Sequence, residues 1–160
     1  MLLRAVPPGV ERNAYLPLLM LADDSEEQVR AYYQTGELFA YDDQVGNLLG
    51  MVLVTRNAAD EVELKAVAVD APLQGRGIGR QMVKAVLAEL RRAGVRRVIV
   101  GTGNSGIGPL AFYQKVGFRL LCIERDFFGV ARGYRSGIVE NGIPLRDMVW
   151  MDLELCGTNL

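Results

Sequence analysis

The glycines at alternate positions in Gln74-Gly75-Arg76-Gly77-Ile78-Gly79 are the residues of this chain whose spacing most directly implies chemistry. Glycine lets the main chain come close to an anion, and the free N–H groups and dipole of a following helix start hold negative charge. Arg76 and Arg80 add positive charge at the same turn, so the stretch reads as a phosphate cradle. A second stretch, Gly101-Thr102-Gly103-Asn104-Ser105-Gly106, satisfies G-x-G-x-x-G, and Glu124 lies near the spacing of a ribose-binding acid. Alone, it would suggest an NAD-binding oxidoreductase. Neither stretch carries the Gly-Lys-Ser or Gly-Lys-Thr ending of a P-loop.

The sequence has no histidine. That removes Ser-His-Asp and Cys-His nucleophiles, HExxH metalloproteases and any imidazole base. Acid–base chemistry must then come from carboxylate, tyrosine, lysine, cysteine or ordered water. Two cysteines, Cys122 and Cys156, make neither a disulfide framework nor a good zinc site, so no metal is expected.

A chain of 160 residues, half of them apolar, has the size and mix of a single domain, 1–160, with a real core. A net charge of −1 argues against a nucleic-acid partner. No apolar run approaches the roughly 20 residues of a membrane span, and Met1 to Val10 lacks the order of a signal peptide. No membrane partner and a cytoplasmic location are therefore expected.

The elements that must position the glycine turns follow from hydrophobic period. Leu2 to Val6, Leu38 to Tyr41, Leu48 to Thr55 and Val62 to Val69 read as strands, the last three as successive antiparallel neighbours. Pro17 to Leu21 reads as a helix, and Ser25 with Gln28 forms a capping-box pattern for another that Gly36 would end. Asp23, Asp24, Glu26 and Glu27 complement the dipole of that helix start. Ile78, Met82, Val86, Leu87 and Leu90 recur at helical spacing from Gly77 to Ala93. Val95 to Val100 should then run parallel to Val62 to Val69. A short helix, Pro109 to Val116, precedes a strand Phe118 to Ile123, and Val149, Met151, Leu153 and Leu155 alternate in a last one. Glu124 to Leu145 is loop-rich, with Asn141-Gly142 as a turn, as in a binding mouth.

This context separates the two glycine motifs. A dinucleotide unit needs a sustained helix and further parallel strands, whereas Pro109 interrupts the second motif and few residues remain. The first has a clean strand before it and a well-formed helix after it.

Gln74-Gly75-Arg76-Gly77-Ile78-Gly79 resembles the acetyl-CoA signature (Q/R)xxGx(G/A) of the GNAT N-acetyltransferase superfamily, and Ala111-Phe112-Tyr113-Gln114-Lys115-Val116-Gly117-Phe118 resembles its short helix ending in Tyr-x-x-x-Gly-Phe. The tail from Asp126 through Asn141-Gly142-Ile143 to Arg146-Asp147-Met148 is similar to that of small, mostly uncharacterised bacterial members. The resemblance implies an α/β (α+β) GNAT fold: a mixed, mostly antiparallel sheet, flanked by helices and splayed between Val62–Val69 and Val95–Val100. It implies acetyl-CoA as cosubstrate, with Val67, Ala68 and Val69 along the pantetheine arm and Gln74, Gly75, Arg76, Gly77, Ile78, Gly79 and Arg80 at the pyrophosphate. Asn104 would lie along the arm on the opposite wall. It stands nine residues before Tyr113 where much of the family has seven, and Gly106 takes the usual place.

Acetyl transfer to an amine needs a base for the nucleophile, whose pKa is roughly 10.4, and an acid for the departing thiolate. Without histidine, Glu63 and Tyr113 are the candidates. By resemblance, Glu63 stands where some members place a general base and Tyr113 matches the general acid. Arg91, Arg92, Arg96 and Arg97 read as a helix-end cluster, and Cys122 as an inert core thiol. Phe127, Phe128, Tyr134 and Trp150 are candidates to line an acceptor pocket. The expected activity is direct acetylation of a primary amine on a small molecule or peptide. The alternative is a regulatory module that binds acyl-CoA without turnover. Edge strands and the apolar last strand are compatible with a homodimer.

Overall fold

The computed structural model describes residues 1–155; Cys156 lies outside them. The strands are β1 (Leu2–Val6), β2 (Glu37–Asp42), β3 (Leu48–Arg56), β4 (Glu61–Val69), β5 (Arg97–Gly103), β6 (Arg119–Glu124), β7 (Val139–Glu140), β8 (Ile143–Pro144) and β9 (Met148–Glu154). The helices are α1 (Leu16–Ala22), α2 (Glu26–Tyr32), α3 (Ile78–Arg92) and α4 (Ile107–Val116). Seven strands form one sheet in the order β1-β2-β3-β4-β5-β9-β6, and β7 and β8 form a separate hairpin. Every neighbouring pair is antiparallel except β4 and β5.

Helices cover both faces of the sheet. On one face, Met82, Val83, Val86 and Leu90 of α3 pack with Val52, Val54, Val62, Leu64, Val98 and Met151. On the other, Leu18 and Leu19 of α1 and Val29 and Tyr32 of α2 pack with Leu38, Ala40, Met51, Leu53, Ala66 and Ala68. Coverage on both faces explains why β3 is buried without interruption from Leu49 to Val54.

Two irregularities of β4 shape the interior. The β3–β4 register pairs Leu53 with Ala66 but Val54 with Leu64, so Lys65 is an extra, bulged residue. A bulge switches which side chains face which side. Accordingly Val62 and Leu64 join the α3 core, Ala66 and Ala68 join the α1–α2 core, and Glu63 points to the α1–α2 side. Second, β4 and β5 pair only at Glu61–Arg97, Val62–Val98 and Glu63–Ile99. Beyond Ile99, β5 continues against β9 alone. The sheet therefore forks after Glu63.

Sequence and structure differ in instructive places. The fifth strand starts at Arg97 because Arg96 and Arg97 first tie their N–H groups to the Asp60 carbonyl, and it runs on to Gly103 because β9 supplies a partner. Arg97 thus leaves the helix-end cluster and instead bridges Glu61 and Asp152. Gly36 does not end α2, which stops at Tyr32; with φ of 62° it enters β2, where a Cβ would collide with the Val54 carbonyl. Cys122 is exposed, not buried, because β6 is an outer edge strand exposed from Arg119 to Ile123.

The sequence also gave no sign of Arg12. It is 1% exposed and, among the described residues, has no carboxylate partner. Its guanidinium donates to the carbonyls of Val6, Tyr33, Thr35 and Gly36. One side chain thereby joins the end of β1 to the carbonyls that follow α2. No helix among the described residues is long and apolar enough to cross a membrane.

Candidate active site

The glycine turn expected to cradle phosphate lies where the chain after β4 meets α3. Gly75 and Gly77 have φ of 75° and 79°, the left-handed region that a side chain disfavours. Added Cβ atoms there would touch nothing, so the backbone angle, not space, calls for glycine. Gly77 caps α3 with no side-chain hydrogen bond. Among the described residues no side chain takes the first N–H groups of this 15-residue helix, an opening that suits a pyrophosphate. Gln74 ties the turn down, its Nε2 donating to the Val69 carbonyl at 3.0 Å. At Gly79 the helix approaches Val69 and Phe112 closely.

This turn borders a cavity of about 650 Å³ that also takes in Val67, Ala68, Val69, Gly75, Gly77, Gly79 and Arg80. The unpaired side of β4 beyond the fork is thus on the wall of a cleft, where an extended ligand arm can add to it as a strand would. Arg76 is exposed and is not part of that wall. Ile78 turns its side chain into the α3 core, which leaves only its N–H for a ligand. Lys115 of α4 is a cation on the same wall that the glycine and tyrosine motifs do not mark.

A second cavity, about 430 Å³, lies on the α1–α2 side of the fork. Glu63, Lys65, Tyr113, Phe127, Phe128 and Tyr134 line it. Tyr113 and Pro109 of α4 border both cavities, so Tyr113 stands at their junction. Its ring is held edge-on by Phe112 and Phe118, with centroids 5.1 and 5.7 Å away. Burial pushes its phenol pKa up, which keeps the proton available. Among the described residues its hydroxyl has no hydrogen-bond partner, yet no fully enclosed side-chain nitrogen or oxygen is left unpaired. The hydroxyl must therefore open to a cavity. Glu63 is also raised, by burial first, with Lys65 at 3.7 Å partly offsetting it. A carboxylate held above its ordinary range is a better proton acceptor.

Two expectations shift here. Asn104 does not border either cavity. Its Oδ1 accepts from the N–H groups of Arg146 and Asp147 at 2.9 Å, and its Nδ2 donates to the Pro144 carbonyl. The longer loop has turned it into a strap for the segment before β9. The second glycine motif is likewise a packing device: a Cβ on Gly101 would meet Met148 and Trp150, and one on Gly103 would meet Leu145. Trp150 packs on Phe127 without entering the cavity.

The model of the acetyltransferase (GNAT) family matches residues 11–118. The chain belongs to this family. It is 40% identical over 149 residues to the uncharacterised N-acetyltransferase YvbK of Bacillus subtilis (strain 168), covering 92% of this chain and 94% of that one. A GNAT acetyltransferase from Elizabethkingia anophelis, solved with acetyl-CoA bound, superposes with a TM-score of 0.84 at 32% identity, over 95% and 97% of the two chains. A Bacillus subtilis acetyltransferase in complex with CoA gives 0.83 at 35%, over 97% and 100%. The GNAT fold is therefore that of proteins which hold CoA or its acetyl thioester. The open helix start and the unpaired β4 edge fit such a group.

Within this GNAT protein, the acidic stretch at the start of α2 divides in two. Ser25 Oγ takes the Gln28 N–H as the cap, while the Gln28 side chain goes to the Arg132 carbonyl and not back to the cap. Glu26 and Glu27 occupy the first turn. Asp23 and Asp24 instead border the second cavity.

Proposed function

We propose that the protein transfers the acetyl group of acetyl-CoA to a primary amine of a small molecule or peptide by direct attack. The observation that carries this reading is Tyr113, with an unbonded hydroxyl at the junction of the cleft that suits the CoA arm and the cavity that holds Glu63.

The main chain of Val67 to Val69 guides the arm, and the turn from Gln74 to Arg80 receives the pyrophosphate, with Arg80 and Lys115 supplying positive charge. Glu63, directly or through water, takes a proton from the incoming ammonium, and the neutral nitrogen attacks the thioester carbon. N–H groups of β4 freed from pairing at the fork are the candidates to stabilise the developing oxyanion. The C–S bond then breaks, the thiolate takes the Tyr113 proton, and the second proton lost from the acetylated nitrogen returns through water to the Tyr113 oxygen, while Glu63 releases its own proton to solvent. The products are an N-acetylated amine and CoA.

The test is thiol release from acetyl-CoA across a panel of amines, with the acetylated product identified by mass. A protein stabilised by CoA that acetylates nothing on the panel would be the non-catalytic acyl-CoA-binding module.

A further inference from the structure

The lining of the second cavity says more about the acceptor. Four carboxylates border it, Asp23, Asp24, Glu63 and Glu140, against the single ammonium of Lys65. That ammonium is already engaged, 3.7 Å from Glu63 and 5.3 Å from the centre of the Tyr32 ring. Two of the four are held by hydrogen bonds and not merely solvated, whereas Asp24 is exposed. Asp23 receives the Ser25 N–H at 3.0 Å and the Tyr32 hydroxyl at 3.3 Å. Glu140, on β7, receives the Oγ of fully buried Ser105 at 2.8 Å. Asp24 has no hydrogen-bond partner among the described residues.

These groups come from separate parts of the chain: the α1–α2 junction, β4, and the β7–β8 hairpin. Burial raises the pKa values of Asp23 and Asp24, and at Asp24 the charges of Glu140 and Asp23 add to it while Arg135 partly offsets it. Mutual repulsion of this kind is relieved by a cation. Phe127, Phe128 and Leu145 supply apolar wall to the same cavity, a surface for methylenes. The unbonded hydroxyl of Tyr113, a residue only 8% exposed, independently marks where the reacting end must lie.

Building on the acetyltransferase reading, we infer that the acceptor is an aliphatic di- or polyamine. One nitrogen is delivered to Glu63 and Tyr113 while a second, still protonated, is held by Asp24 and Glu140. The same lining rejects an acceptor with a carboxylate in place of the second cation, because that group would be desolvated among like charges.

Putrescine, n-butylamine and γ-aminobutyrate present the same reacting amine with a cationic, neutral or anionic far end. Their kcat/KM values should fall in that order, putrescine exceeding n-butylamine by about tenfold or more. Raised ionic strength should increase KM for putrescine far more than for n-butylamine. In the double variant Asp24→Asn, Glu140→Gln, the putrescine to n-butylamine ratio should collapse towards one, chiefly through KM. Equal wild-type kcat/KM for these two amines, or a preference for γ-aminobutyrate, overturns the inference while leaving amine acetylation intact. If no amine is acetylated, the catalytic reading fails by itself. Calorimetry of putrescine against the CoA-loaded protein then decides: saturable binding weakened by Asp24→Asn upholds the cation site, and no binding overturns it.

Discussion

Ser105 and Glu140 meet across 2.8 Å, the buried hydroxyl donating to the carboxylate. The bond joins the start of α4 to the β7–β8 hairpin, and Asn141 reinforces it by donating to the Ser105 carbonyl. Ser105→Ala should cost about 1 kcal/mol and speed amide exchange in the hairpin. Unchanged exchange at Val139 to Pro144 would show that the bond is not what holds the hairpin.

Tyr113→Phe removes a hydroxyl that no group among the described residues hydrogen-bonds. Stability should therefore stay within about 0.5 kcal/mol of wild type, while kcat falls by about a hundredfold or more. Urea denaturation and steady-state turnover on the same preparations separate the two effects, and a variant with wild-type turnover removes the acid role.

Glu63 has its pKa raised by burial. The folded state thus favours the neutral acid, so its contribution to stability is greatest below the ordinary carboxylate range and is lost as pH rises through the raised value. Glu63→Gln should accordingly be more stable than wild type near about pH 7.5, with the advantage gone below about pH 4. The same change should abolish the acidic limb of the kcat/KM profile, because the base must be ionised to act. Thermal melts and rates across pH test both signs.

At Gly77, φ is 79° and an added Cβ touches nothing. Gly77→Ala should then act through backbone strain alone, about 1–2 kcal/mol, and displace the N–H groups at the start of α3. KM for acetyl-CoA should rise severalfold more than KM for the amine, as initial rates at varied acetyl-CoA will show.

Arg12 serves four backbone carbonyls from a buried position. Arg12→Met keeps volume but leaves those acceptors bare, and should cost about 3 kcal/mol. The urea midpoint reads it directly; Arg12→Lys, with one charge but no planar fork, should recover only part of the loss.

Local patterns carried most of the fold. Continuous apolar runs gave β2 and β3, alternation gave β4, and the helical repeat from Ile78 to Leu90 gave α3, because each of those patterns matches how its element is buried. The glycine turn was equally legible, since positive φ at Gly75 and Gly77 has a residue-type signature. Partners distant in sequence were not. Nothing local to Arg12 announces the carbonyls around it, and Cys122 looks like a core residue until β6 proves to be an edge. The acidic stretch at Asp23 and Asp24 reads as helix capping until the chain returns at Glu140, more than a hundred residues later, to close the cavity. Asn104 kept its residue type but not its expected contact, because two extra residues carried it to the 144–147 segment.

The fork after Glu63 has a further consequence, for solubility. Unpaired strand backbone is an invitation to other strands, and proteins blunt their outer edges to refuse it. Here the vacant hydrogen-bonding positions of β4 lie inside the molecule, flanked by β5 and roofed by Pro109 and Tyr113 of α4. A cleft of this kind suits a slender thioester arm better than a β-strand of another chain. The protein thus keeps a sticky edge permanently ready for its small ligand without displaying it to its neighbours.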